Sequence, residues 1–170
     1  MQALNRAKPL LELADKLSID ADIAMIGFEL RLTMADAYCA IGGWKKDVRL
    51  VEEALKLLQA RAYEIDIQWN EYVTVLWARH FVDGSVSQLV CYVMMCKIAP
   101  SSFDKKWFEK LKGSVREIRR LSVPAGLDTS TRREYANKFR GWAESLGTGY
   151  WAKKAAEILR NEAQELPRSR

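Results

Sequence analysis

Apolar residues recur at spacings of three and four along almost the whole chain, and no segment shows the strict alternation of a half-buried strand. That rhythm turns one face of a helix towards a core, because residues i, i+3, i+4 and i+7 share a side. It predicts an all-α protein. Glycine, proline and Ser/Thr/Asp clusters divide the pattern into seven or eight helices: 9–17, from 20 or 22 to 42–43, 45–63, 67–82, 86–99, 103–121, 130–146 and 149–164. A loose tail, Pro167 to Arg170, follows. With 170 residues and 49% apolar content, the chain suits a single compact domain over 1–170, a helical bundle or a short stack of αα-hairpins.

The punctuation carries specific expectations. Pro9 falls in the first turn of its helix, where its missing N–H is harmless. Asp20 or Asp22 caps the second helix, Gly42-Gly43 stops it, and its inward face is Ile23, Ile26, Leu30, Met34 and Ile41. The third helix turns Val51, Ala54, Leu55, Leu58 and Ala62 inward and pairs Glu52 with Lys56 outside. Asp83-Gly84-Ser85 reads as a turn between two strongly apolar helices, the first with Ile67, Trp69, Val73, Leu76 and Trp77, the second with Val86, Leu89 and Val93. Residues 1–100 thus supply the central apolar segment.

Ala35, Tyr38, Gly42, Ala54 and Leu55 resemble the first-helix, turn and second-helix positions of a tetratricopeptide hairpin. The resemblance covers 35–55 and implies stacked helix pairs whose groove takes a peptide or protein partner. Arg31, Asp47 and Gln59 stand where that pattern has Trp, a small residue and Pro. A 34-residue advance pairs Tyr38 with Tyr72 but finds no second turn glycine, so no internal repeat is supported. Over 131–147, the order Thr131, Tyr135, Phe139, Trp142, Leu146, Gly147 is similar to the opening DNA-gripping helix of tyrosine recombinases. The same residues form the stripe of any amphipathic helix.

Signals for catalysis are scarce. His80 is the sole histidine, beside Arg79 at the end of an apolar helix, where packing is its ordinary role. No phosphate-cradling glycine loop is present, and Glu52/Glu53 are adjacent, so they diverge by about 100° on a helix. Nothing calls for a metal or a cofactor, and the sequence reads as non-catalytic. Cys39, Cys91 and Cys96 are an odd count in apolar surroundings, as in a reduced, cytoplasmic protein. No signal-peptide core follows Arg6 and Lys8, and the most apolar run, Leu89 to Cys96, is too short to span a bilayer, so no membrane partner is expected.

Charge is unevenly placed. Residues 1–100 carry 11 Lys+Arg and 13 Asp+Glu, whereas 101–170 carry 16 and 9, a net +7. In the 103–121 helix, Trp107, Phe108, Leu111, Val115, Ile118 and Leu121 share one side, while Lys105, Lys112, Arg116 and Arg119 stripe the other with Arg120 beside them. Arg133 and Arg140 follow on the next helix, and Lys153 and Lys154 on the last, each opposite an apolar stripe. Such a surface suits the phosphates of RNA or DNA, bound through counterion release without reading bases. The sequence therefore predicts a nucleic-acid-binding protein, a small subunit of a nucleoprotein complex. A protein-interaction adaptor using a groove in 20–100 is the alternative.

Overall fold

The computed structural model describes residues 1–17, 21–59 and 71–168. All secondary structure among them is helical: α1 (Gln2–Lys16), α2 (Ala21–Lys45), α3 (Val48–Gln59), α4 (Glu71–Ile98), α5 (Lys105–Ser122), α6 (Thr129–Ser145) and α7 (Tyr150–Glu165). A 3-10 turn, Leu166–Arg168, ends the described chain. The helices form two compact units, Met1–Asn70 and Glu71–Arg170. The change of charge at residue 100 falls inside the second unit. Asp20, Ala62, Ile67 and Trp69, and the side chains of Asp22, Val73 and Leu76, lie outside the described residues.

In the first unit, α2 packs against both α1 and α3. α1 begins seven residues before Pro9, so the proline sits inside it rather than at its first turn. The interruption is tolerable because Asn5 and Pro9 are both exposed, and the carbonyl left without an N–H partner lies on the solvent side. α2 also overruns its expected stop and continues through Gly42-Gly43 to Lys45. Gly42 is needed there for space. A Cβ on it would stand 2.8 Å from Val51 Cγ2 and 3.1 Å from Leu50 Cβ. The stop itself is a Schellman arrangement in which Asp47 N–H bonds the Gly42 carbonyl at 2.9 Å and Lys46 takes φ 54°. Asp47 then caps α3 by accepting from the Arg49 N–H at 3.0 Å.

The inward face of α2 also differs from the expected one. Ala24, Arg31, Met34, Ala35, Tyr38 and Cys39 are buried, whereas Ile26 is 61% exposed. The helix is apolar on nearly every side, so its period alone cannot choose a face, and the alanine and glycine positions permit the closest approach. Arg31, 7% exposed, donates across to the Asp15 carboxylate of α1 and is ion-paired with it. In α3, Val51, Ala54 and Leu55 are buried as the stripe predicts. Outside, Lys56 pairs with Glu53 at 2.7 Å instead of Glu52, since i,i+3 neighbours also share a helix surface.

In the second unit, α4 runs unbroken through Asp83-Gly84-Ser85, so the expected turn is absent. Glycine costs a helix interior only about 1 kcal/mol. Burial of Val82, Ser85 and Leu89 on one face outweighs it. The stretch Trp77–Ile98 is long and apolar enough to cross a membrane by length and composition, and 61% of its apolar window is buried within the protein. α4 packs on α5, and Tyr92 meets Trp107 with ring centroids 6.1 Å apart. Phe108 meets Trp151 near the starts of α5 and α7, and Arg119 meets Glu162 near their ends. The two helices therefore run side by side in the same direction. α6 and α7 pack on each other, and the buried alanines Ala136, Ala143, Ala155 and Ala163 let the backbones come near beside the larger Phe139 and Leu159.

Candidate nucleic-acid interface

The basic residues sit where they do because the opposite faces of their helices are spent on the core. On α5, Phe108, Leu111, Val115, Ile118 and Leu121 are all buried, which turns Lys105, Arg116, Arg119 and Arg120 outward. The helix begins at Asp104, whose carboxylate accepts from the Trp107 N–H at 3.2 Å. α6 begins in the same way at Asp128, which accepts from the Thr131 N–H at 2.7 Å.

The stripe on α5 is not uniformly available to an anion. Lys112 stands 3.9 Å from Glu109, half-buried beside the Phe108 ring. Arg120 is held by Glu117 at 2.7 Å. Arg119 crosses to Glu162 of α7 at 3.2 Å. Burial raises the Glu162 carboxyl above its ordinary value, with Arg119 and Arg116 pulling against that shift, and its Oε2 has no hydrogen-bond partner. Only Lys105 and Arg116 of the five α5 residues have no ion pair among the described residues.

The structure does bring Arg133 and Arg140 together. They stand seven residues apart on α6, with Asn137 between them on the same face. With Gln164 and Arg168 these side chains line an open cavity of about 390 Å³, floored by Ala136, Ala163 and Pro167. Arg140 is fixed in place. One of its terminal nitrogens donates to Asn137 Oδ1 at 2.7 Å and the other to the Ala163 carbonyl at 3.3 Å. Ala163 lies in the last turn of α7, where carbonyls run out of intrahelical partners. Arg168 stands 3.9 Å from Glu165 at the rim, and Arg133 has no ion pair among the described residues. Lys153 and Lys154 are exposed near the start of α7 and do not line this cavity; Lys154 lies over the Tyr150 ring at 5.8 Å.

Sequence reasoning missed Arg168, Asn137 and Gln164. Of the tail expected to be loose, Pro167 and Arg168 instead belong to the 3-10 turn, packed on α6 and α7 through Leu166, which is 1% exposed, and residues 169–170 lie outside the described residues. The signal was the apolar stripe of α7, which continues through Leu159 and Ala163 to Leu166. A larger recess of about 580 Å³, between the 99–104 and 146–149 connections, is lined by Asp104 and, among the described residues, by no arginine or lysine.

The remaining reactive groups are packed away. Cys39, Cys91 and Cys96 are buried, and burial pushes the Cys96 thiol up to about 11. His80 is half-buried, its ring edge-on to Trp77 at 6.1 Å. Tyr135 is raised to about 12 by burial and by Asp83, to which it donates at 3.3 Å. Among the described residues no three of His, Cys, Asp and Glu gather at one point. Comparisons with protein-family models, with curated proteins and with solved structures found no match to this chain.

Proposed function

We propose that the chain binds RNA or DNA through phosphate contacts made by its basic C-terminal helices, as a non-catalytic component of a nucleoprotein assembly. The observation that carries this reading is a set of exposed cations with no ion pair among the described residues: Lys105 on α5, Arg133 on α6, and Lys153 and Lys154 on α7. They belong to a segment with a net charge of +7. Guanidinium and ammonium groups that no carboxylate neutralises are the ones that can displace counterions from a phosphate backbone. The aromatic side chains of these helices sit mostly in ring contacts with one another, which fits backbone binding better than base stacking.

The test is the salt dependence of binding to short oligonucleotides, comparing wild type with a triple Lys105→Glu, Lys153→Glu, Lys154→Glu variant. These three positions spare the Arg119–Glu162 bridge and the cavity. Wild-type affinity should fall steeply with salt, by a slope of about 0.7 per phosphate contact for single strands. The triple variant should bind more weakly and with a shallower slope, irrespective of base sequence. Affinity indifferent to both salt and the substitutions overturns the reading.

A second reading, a protein-interaction adaptor, has its own observation in the first unit. Trp44 is 83% exposed on α2, and Leu10 and Leu13 stand out on α1. Exposed large apolar residues on a helical hairpin suit a protein partner. That reading is favoured if a partner is retained by the triple variant and lost with Trp44→Ala.

A further inference from the structure

We infer that the cavity framed by Arg133, Arg140 and Arg168 is a site for a terminal phosphate, the phosphomonoester end of a nucleic-acid strand. The inference rests on the nucleic-acid reading above and adds a specific ligand group to it. An internal phosphodiester carries one negative charge, and one basic side chain neutralises it. A phosphomonoester carries about −1.5 to −2 at neutral pH, with a second pKa near 6. Three guanidiniums round one cavity, with Glu165 offsetting part of Arg168 at the rim, leave about two positive charges, more than a single diester needs and close to those of the dianion. Arginine is suited to the task because its planar fork donates two parallel hydrogen bonds to one phosphate.

The polar lining is matched to an acceptor. Asn137 Oδ1 already accepts from Arg140, so what Asn137 has left to offer a ligand is its amide N–H, and Gln164 adds a second amide to the lining. Among the described residues no carboxylate lines the cavity; Glu165 meets Arg168 only at 3.9 Å, with both side chains largely exposed. At about 390 Å³ the space falls within the range of small-ligand pockets, about 300–1,000 Å³, and is larger than a bare phosphate needs. The surplus lies against Ala136, Ala163 and Pro167, an apolar floor for the sugar and base that carry the phosphate. The negative end of α7 attracts cations and accounts for Arg140 and Arg168 being near it. It does not account for Arg133, which lies on α6 and bonds neither to a carboxylate nor to an α7 carbonyl.

The experiment measures binding of the full chain to one single-stranded oligonucleotide, labelled at its 3′ end and bearing either a 5′-phosphate or a 5′-hydroxyl. The 5′-phosphate form should bind about tenfold tighter at near-physiological salt, a step typical of added charge-assisted hydrogen bonds. The preference should shrink as pH falls through about 6, where the monoester takes up a proton. Inorganic phosphate at high concentration should erase it. Arg168→Ala should abolish the preference while the 5′-hydroxyl form still binds in a salt-dependent way. Arg133→Ala should abolish the preference as well and weaken both forms through the lost backbone contact, an independent check should Arg168→Ala fold poorly. Equal affinity for the two ends, with both still salt-sensitive, overturns this inference and leaves the backbone reading standing. Loss of salt-sensitive binding to either form overturns the backbone reading. A phosphoserine peptide that gains from its phosphate where the oligonucleotide does not would move the site to a protein ligand and overturn the inference as stated.

Discussion

In the Met1–Asn70 unit, Arg31 lies 7% exposed against the Asp15 carboxylate, while in the Glu71–Arg170 unit Arg133 and Arg140 stand exposed beside a cavity with no carboxylate among its described lining residues. The same side chain is structural in one unit and available in the other. What separates the two cases is the helix face on which the arginine falls. Arg31 shares its face with Met34, Ala35 and Tyr38, so folding drags its charge out of water and an acid must accompany it. Arg133 and Arg140 lie off the Ala136, Phe139, Ala143 face, and the cost of burial never arises. The helix pairings show the same contrast. α2 meets α3 at a glycine with no room for a Cβ, whereas Gly141 on α6 has no atom within 4 Å of the position its Cβ would take.

The largest effect should come from breaking the one arginine's buried ion pair. Asp15→Ala leaves the Arg31 guanidinium, 7% exposed, without that carboxylate, and urea unfolding should show a loss of about 3 kcal/mol. Arg133→Met should stay within about 0.5 kcal/mol of wild type, as surface changes do. Similar losses at both sites would erase the distinction between structural and available arginines.

The glycines should give a smaller split of opposite sign. Gly42→Ala forces a methyl group against Val51 and Leu50 and should cost about 1–3 kcal/mol. Gly141→Ala removes backbone freedom at an open helix position and should gain about 0.5–1 kcal/mol. A stabilising Gly42→Ala, read from the unfolding midpoint, would mean that α2 and α3 are not in such close contact.

The smallest differences concern pH. Asp47, at the α3 cap, is held below its ordinary carboxyl value by the Arg49 side chain that bonds it. Its contribution is complete above that ordinary value and is lost as pH falls through the folded-state value. Glu162 is displaced upward by burial, so the folded protein keeps its proton at pH values where the unfolded chain has released it. Stability from that group declines as pH rises above the ordinary value of 4.5 through the folded-state value. Asp47→Asn should therefore be less stable than wild type at neutral pH and converge with it in acid. Glu162→Gln should be more stable at neutral pH, the gain vanishing near pH 4.5. Denaturation midpoints across pH check both, and changes of the same sign at the two sites would remove the contrast.

The nucleic-acid and end-phosphate tests bear on the same comparison from the side of function. Lys112, Arg119 and Arg120 looked equivalent to Lys105 and Arg116 along the stripe, because helical spacing reports which way a side chain leaves its own helix. It does not report which acid waits there. Glu109 and Glu117, three residues from their partners, were within reach of sequence reasoning. Glu162, on another helix, was not. The cavity was half legible: Arg133 and Arg140 were visible as one face of α6, but Arg168 joined them only through the docking of Leu166.

By itself the sequence determined the helical class, the two faces of α5 and the concentration of positive charge after residue 100. These properties are written over a few turns of chain, through local hydrogen bonding and periodic burial, so neighbouring residues suffice to set them. Only the tertiary structure decided which side of the uniformly apolar α2 turns inward, that α4 overrides Asp83-Gly84-Ser85, and which arginines are neutralised. Each of those outcomes compares a local preference of about 1 kcal/mol with burial or ion pairing supplied by residues distant in the chain. Arg31 with Asp15, Arg119 with Glu162 and Arg140 with the Ala163 carbonyl meet only once their helices have packed.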